Sequence, residues 1–176
     1  MTQEEIKALE TKANAGDDVA QYDFGRLLIV NNYYDAGKDF ISKAAEQQNE
    51  AAKKWIELHK KLTTALEKID GYETMQGKLI KLWNVKKGES SATFSFTALQ
   101  DGAVMVFVDK SENENSPFKH FHTELISEQY FHILFDLWPS YLDGKIPTKE
   151  IKPTRNAKYL ISILHYLFET NPDLQV

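Results

Sequence analysis

Residues Ala13–Trp55, ANAGDDVAQYDFGRLLIVNNYYDAGKDFISKAAEQQNEAAKKW, decide how the front of this chain is read. Alanine, glycine and aromatic residues recur here at three- and four-residue steps, the period of one helix face. Gly16 ends a first helix that starts at Thr2, where Glu4 and Glu5 occupy the first turn and favour the positive end of the helix dipole. Asp17 or Asp18 caps a second helix carrying Val19, Ala20, Phe24, Leu27 and Leu28, and Gly25 leaves room for another backbone to approach. Asn31-Asn32 stops it. A third helix from about Tyr34 presents Phe40, Ile41, Ala44 and Ala45. A fourth follows the polar stretch Glu46 to Asn49 and continues through Ala52, Trp55, Ile56, Leu62, Ala65, Leu66 and Ile69.

Sliding this stretch on itself by about 32 residues matches Ala13 with Ala45, Asp17 with Asn49, Ala20 with Ala52 and Phe24 with Ile56. That is the scale on which helical hairpins repeat. Gln48 stands opposite Gly16 and Glu57 opposite Gly25, so the second copy is degraded. Gly16-Asp17, Ala20-Gln21-Tyr22, Phe24-Gly25 and Lys43-Ala44-Ala45-Glu46-Gln47 together resemble the Sel-one-like relative of the tetratricopeptide repeat. The loop between the paired helices lacks that family's glycine-rich insertion and is closer to tetratricopeptide length. The resemblance covers about residues 13–56 and implies a protein-binding surface with nothing catalytic.

Asp70-Gly71 and Gly77 break the composition, dividing the chain into a helical repeat-like domain over 1–70 and an α+β domain over 71–176. Lys78 to Val85 is strand-like, and Lys86 to Ser90 turns. SATFSFTAL alternates, with Ala92, Phe94, Phe96 and Ala98 on one face. Asp101-Gly102 signals a tight hairpin into AVMVFV. Lys110 to Pro117 reads as a loop, and Phe118 to Ile126 as a further strand, giving an antiparallel sheet over about 78–126. Two very apolar helices follow, about 127–142 and 156–169. Ser127 caps the first, Pro139 kinks or shortens it and Gly144 ends it; Thr154 or Asn156 caps the second. The fold class expected is therefore α+β, antiparallel helical hairpins followed by a small antiparallel sheet with two apolar C-terminal helices; those helices would pack on the sheet, and one structure interlocked with the hairpins is expected as much as two free domains.

The chain has 176 residues, a formal net charge of −5 and no cysteine. Acidity argues against broad backbone-driven nucleic-acid binding, and the missing thiols remove disulfides, thiolate zinc sites and cysteine nucleophiles. The sequence lacks a secretory leader and any apolar run long enough for a membrane span, so a cytoplasmic, bacterial-type protein is expected. G-x-S-x-G, the phosphate loop and G-x-G-x-x-G are all missing. His120, His122 and Glu124 fall at strand spacing and would share a face, with His132 one helix on, but the solvent side of an edge strand explains the same pattern. Asp101, Asp109 and Lys110 do not match the acidic–x–lysine arrangement of nucleases, because adjacent strand residues point to opposite faces. The expectation is a non-enzymatic interaction protein without cofactor or metal, of adaptor or inhibitor/immunity type. It would bind a protein partner through a groove at Tyr22, Arg26, Tyr33 and Tyr34. The alternative is nucleic-acid recognition through Lys149, Lys152, Arg155 and Lys158 in the basic segment 145–158, around a helix start at Thr154 and Asn156.

Overall fold

The computed structural model describes residues 1–69, 78–99, 103–108 and 122–174; the side chains of Lys78, Leu79, Ser91 and His122 lie outside that description. The chain is α+β and forms two compact units, Met1–Lys60 and Lys61–Val176. Among the described residues no helix is long and apolar enough to cross a membrane.

Four helices open the chain: α1 (Gln3–Asn14), α2 (Asp18–Val30), α3 (Tyr34–Glu46) and α4 (Glu50–Glu67). The division between the units falls inside α4, ahead of the composition break at Gly71. Thr2 closes a capping box on α1, its hydroxyl accepting from the Glu5 N–H at 3.2 Å while Glu5 accepts from the Thr2 N–H at 2.7 Å. Asp17 caps α2, accepting from the Ala20 N–H at 2.8 Å, and Asn49 caps α4 in the same way, accepting from the Ala52 N–H at 2.9 Å.

The three connections repeat one backbone geometry. Gly16, Asn32 and Gln48, at even sixteen-residue steps, have φ of 94°, 68° and 71°. At each, the left-handed residue donates its N–H three residues back and its successor donates five back: Gly16 to Ala13 and Asp17 to Lys12, Asn32 to Ile29 and Tyr33 to Leu28, Gln48 to Ala45 and Asn49 to Ala44. This is the Schellman ending, which satisfies the last carbonyls of a helix. The structural repeat thus survives at Gln48, where the glycine has been lost. A left-handed conformation costs an L-residue with a Cβ about 1–2 kcal/mol. Gln48→Gly is therefore expected to raise stability by roughly 0.5–1 kcal/mol, after the greater flexibility of glycine in the unfolded chain is set against it. Urea denaturation followed by circular dichroism would measure it; a loss of stability would refute the assignment of strain to this turn.

Successive turns are also tied side by side. Gln21 donates to the Ala13 carbonyl at 3.2 Å and accepts from Gln47 at 2.7 Å, and Asn49 donates to Asp18 at 2.9 Å. Ala13, Ala20 and Phe24 form a small core with Ile6, Leu9, Leu27, Leu28 and Phe40 against it, and the Phe24 and Phe40 rings meet edge to face at 5.1 Å. At the α2–α3 crossing two glycines face each other. A Cβ on Gly25 would lie 2.7 Å from the Gly37 carbonyl oxygen, and one on Gly37 would lie 2.5 Å from that of Gly25. Two expectations for this region need correction. Val19, placed on the apolar face, is 57% exposed. Ile56, the counterpart of buried Phe24, lies on the outside, so the repeat holds in the backbone better than in the core.

In the second unit β1 (Lys78–Asn84), β2 (Gly88–Ala98), β3 (Val104–Val108) and β4 (His122–Ile126) form an antiparallel meander in that order. Phe96 stands opposite Val106 across β2–β3, and Val106 opposite Glu124 across β3–β4. Asp101-Gly102, Lys110 to Pro117 and the first part of the Phe118–Ile126 strand lie outside the described residues. Two helices follow, α5 (Glu128–Leu142) and α6 (Ala157–Thr170). α5 runs to Leu142, the end expected for it, with Pro139 inside the helix. Gly144, at φ 70°, ends it with the same paired N–H pattern, Gly144 to Tyr141 and Lys145 to Ser140. Ser127 and Asn156 occupy the cap positions, but neither side chain makes a capping hydrogen bond. Both helices are buried on more than one side, as an apolar surface all round requires: α5 buries Phe131, Leu134, Phe135, Trp138 and Tyr141, and α6 buries Tyr159 to Leu164 without a break.

Candidate functional site

On α2 the positions Val19, Tyr22, Arg26 and Val30 follow one another at three- and four-residue steps and form one stripe, and Tyr33 stands at the turn into α3. Tyr33 is 64% exposed; Tyr22, Arg26 and Tyr34 are half-buried. The four residues expected to line a partner groove therefore sit on α2 and at the turn into α3. Tyr34 begins α3 and Arg26 sits between the tyrosines in chain order. Half-buried aromatic and arginine side chains lose little freedom on binding and offer a large contact area, the combination that anchors protein interfaces.

The basic segment arranges itself differently. Lys149, Lys152 and Arg155 are all exposed, and Arg155 pairs with Glu124 at 2.8 Å. Lys158 lies over the Tyr159 ring at 4.7 Å, where burial lowers its pKa against the opposing pull of Glu124. Burial, helped by the same carboxylate, raises the Tyr159 phenol to about 12. Glu124 thus serves the cations of α6 and its approach. Of the histidine pattern, His120 lies outside the described residues, as does the side chain of His122. Asp101, Asp109 and Lys110 lie outside them too. Among the described residues no cluster of three or more His, Asp or Glu could hold a metal ion.

His132, whose side chain is 3% exposed, meets Thr63 and Glu128. The Thr63 hydroxyl donates to Glu128 Oε1 at 2.6 Å, and His132 Nε2 lies 3.2 Å from that oxygen and 3.3 Å from the hydroxyl. Glu128 and Thr63 both approach Nε2, and the Thr63 hydroxyl hydrogen-bonds to the carboxylate. The cluster fastens the end of α4 to the start of α5.

A cleft of about 370 Å³ lies between the β1–β2 hairpin and α6, lined by Lys81, Trp83, Glu89, His165, Tyr166 and Glu169 among others. The ladder slips between Lys81 and Trp83, a bulge that re-aims the side chains beyond it. The Trp83 N–H donates to Ser162 Oγ at 2.8 Å, so α6 satisfies a donor on the outer side of β1. The indole stacks on the His165 ring, centroids 3.9 Å apart and planes 19° from parallel. Burial holds the His165 pKa below the usual imidazole value, opposed by Glu169 and Glu89. Lys81 and Glu89 pair at 3.0 Å across the hairpin. Nothing in the sequence analysis singled out these residues. The one available signal, His165 and Glu169 one helical turn apart, does not reveal that Trp83 and Glu89, some eighty residues earlier, complete the site. No family model matches the sequence, and neither a curated protein nor a solved structure is significantly similar to it.

Proposed function

We propose that the chain is a non-enzymatic protein-interaction module of cytoplasmic, adaptor or inhibitor type, with a short Sel-one-like or tetratricopeptide-like helical segment as its binding scaffold. The observation that supports this reading is the repetition of one helix ending at Gly16, Asn32 and Gln48, with matching caps at Asp17 and Asn49. Such repetition sets consecutive helices in one relation, and half-buried Tyr22 and Arg26 on α2 with exposed Tyr33 at the next turn would supply the anchors for a partner. Nucleic-acid recognition through 145–158 is the weaker reading, because the chain carries a net charge of −5 and Glu124 lies beside the basic groups Arg155 and Lys158.

Affinity capture by the immobilised full chain from lysate of its source, with and without nuclease treatment, tests the choice. A partner is expected to be retained by the wild type and by Lys149→Glu with Lys152→Glu, and to bind Tyr22→Ala with Tyr33→Ala about tenfold more weakly or worse, as loss of central anchors implies. Binding that ignores the tyrosines, disappears with nuclease and falls with the lysines would overturn the reading.

A further inference from the structure

We propose that the cleft between the β1–β2 hairpin and α6 binds a small organic cation of the guanidinium or ammonium class, seated over the Trp83–His165 stack between Glu89 and Glu169. The inference is independent of the α2 surface.

Its first ground is construction. The volume of about 370 Å³ lies at the small end of ligand-binding clefts. The floor is a fixed aromatic surface: Trp83 is held through its backbone by Ser162, stacked on His165, and flanked by Trp138 and Tyr141 at 5.9 and 6.4 Å between ring centroids. An aromatic platform locked on several sides pays no ordering cost when a ligand arrives.

Charge is the second ground. Glu169 Oε2 lies 3.6 Å from His165 Nδ1, and Glu89 and Lys81 face the cleft from β2 and β1. Lys81 and Glu89 offset each other at the rim, and burial of the half-buried His165 imidazole disfavours its charged form, which leaves the Glu169 charge in excess. The two carboxylates therefore outweigh the one ammonium. An anion would meet that excess, whereas a cation meets the carboxylates beside the stacked rings.

The groups around His165 also set the pH dependence. Glu169 and Tyr166 approach from α6, Glu89 from β2, and Lys81 and Trp83 from β1. Once protonated, His165 is itself a cation over Trp83 and beside Glu169, so proton and ligand compete for one place. Binding should weaken as the pH falls through and below the ordinary imidazole range.

Nuclear magnetic resonance titration of the full chain with methylguanidinium and methylammonium, and with methylurea as a neutral isostere, tests the proposal. Saturable shifts of the His165 ring protons are expected with both cations and not with methylurea. Affinity should be lower at about pH 5 than at about pH 8. Glu169→Gln and Glu89→Gln should each weaken binding about tenfold while the Trp83 ring resonances keep their positions. Arginine capped as its N-acetyl amide distinguishes the source: binding at least as tight as methylguanidinium points to a side chain of another protein, and exclusion points to a free small molecule. Equal shifts with methylurea, or wild-type affinity in both glutamine variants, would overturn the proposal.

Discussion

Gly37→Ala is expected to destabilise the first unit by about 2 kcal/mol or more, although alanine is the better helix former by about 1 kcal/mol. The added Cβ would lie 2.5 Å from the Gly25 carbonyl oxygen and 2.6 Å from Ile29 Cγ1. The first obstacle is backbone, so it cannot rotate away. Relief requires α2 and α3 to separate along the seam where Ile29 and Ile41 are fully buried. Overpacking of this kind costs about 1–3 kcal/mol even where side chains can adjust, and the upper part of that range applies where they cannot. Hydrogen exchange of the α2 and α3 amides would show the loss locally. Gly16→Ala separates two causes, because its Cβ would meet nothing within 4 Å while its φ of 94° remains unfavourable for alanine. A Gly37→Ala variant as stable as the wild type would mean the helices do not meet as closely as described.

Phe96→Ala is expected to be the most damaging single truncation of the sheet, costing about 3–5 kcal/mol. Its side chain is fully buried in β2, between β1 and β3, and its ring meets Tyr166 of α6 at 5.9 Å and Phe94 at 6.1 Å. Removing the ring would leave a void lined by strands and helix that cannot close without shifting both. On the same strand Thr93→Ala, at an exposed position, should stay within about 0.5 kcal/mol of the wild type. Guanidinium denaturation with circular dichroism detection would rank the pair. Equal effects would contradict the inward orientation of Phe96.

The element types were legible because each rests on local physics. Helix ends followed from Gly16, Asn31-Asn32 and Gly144, and the β2 strand from the alternation through Phe94 and Phe96. Burial was less legible. Ala92 shares the alternating face with Phe94 and Phe96 yet is exposed, because only part of a long hairpin strand is covered. Val19 keeps helical spacing with the core but falls on the outer stripe. Gly25 suggested a close approach, while its partner Gly37, twelve residues on, became evident only when the two backbones were seen to cross.

By itself the sequence determined which segments coil into helices, where they stop and which run is a buried strand, since capping, left-handed turns and side-chain period act over a few residues. Tertiary structure alone decided that Trp83, Glu89, His165 and Glu169 line one cleft, that Glu124 answers Arg155, and that Thr63 joins Glu128 and His132. Each of those groupings joins residues far apart in the chain, and their distances follow from how strands pair and helices dock, which no local spacing encodes.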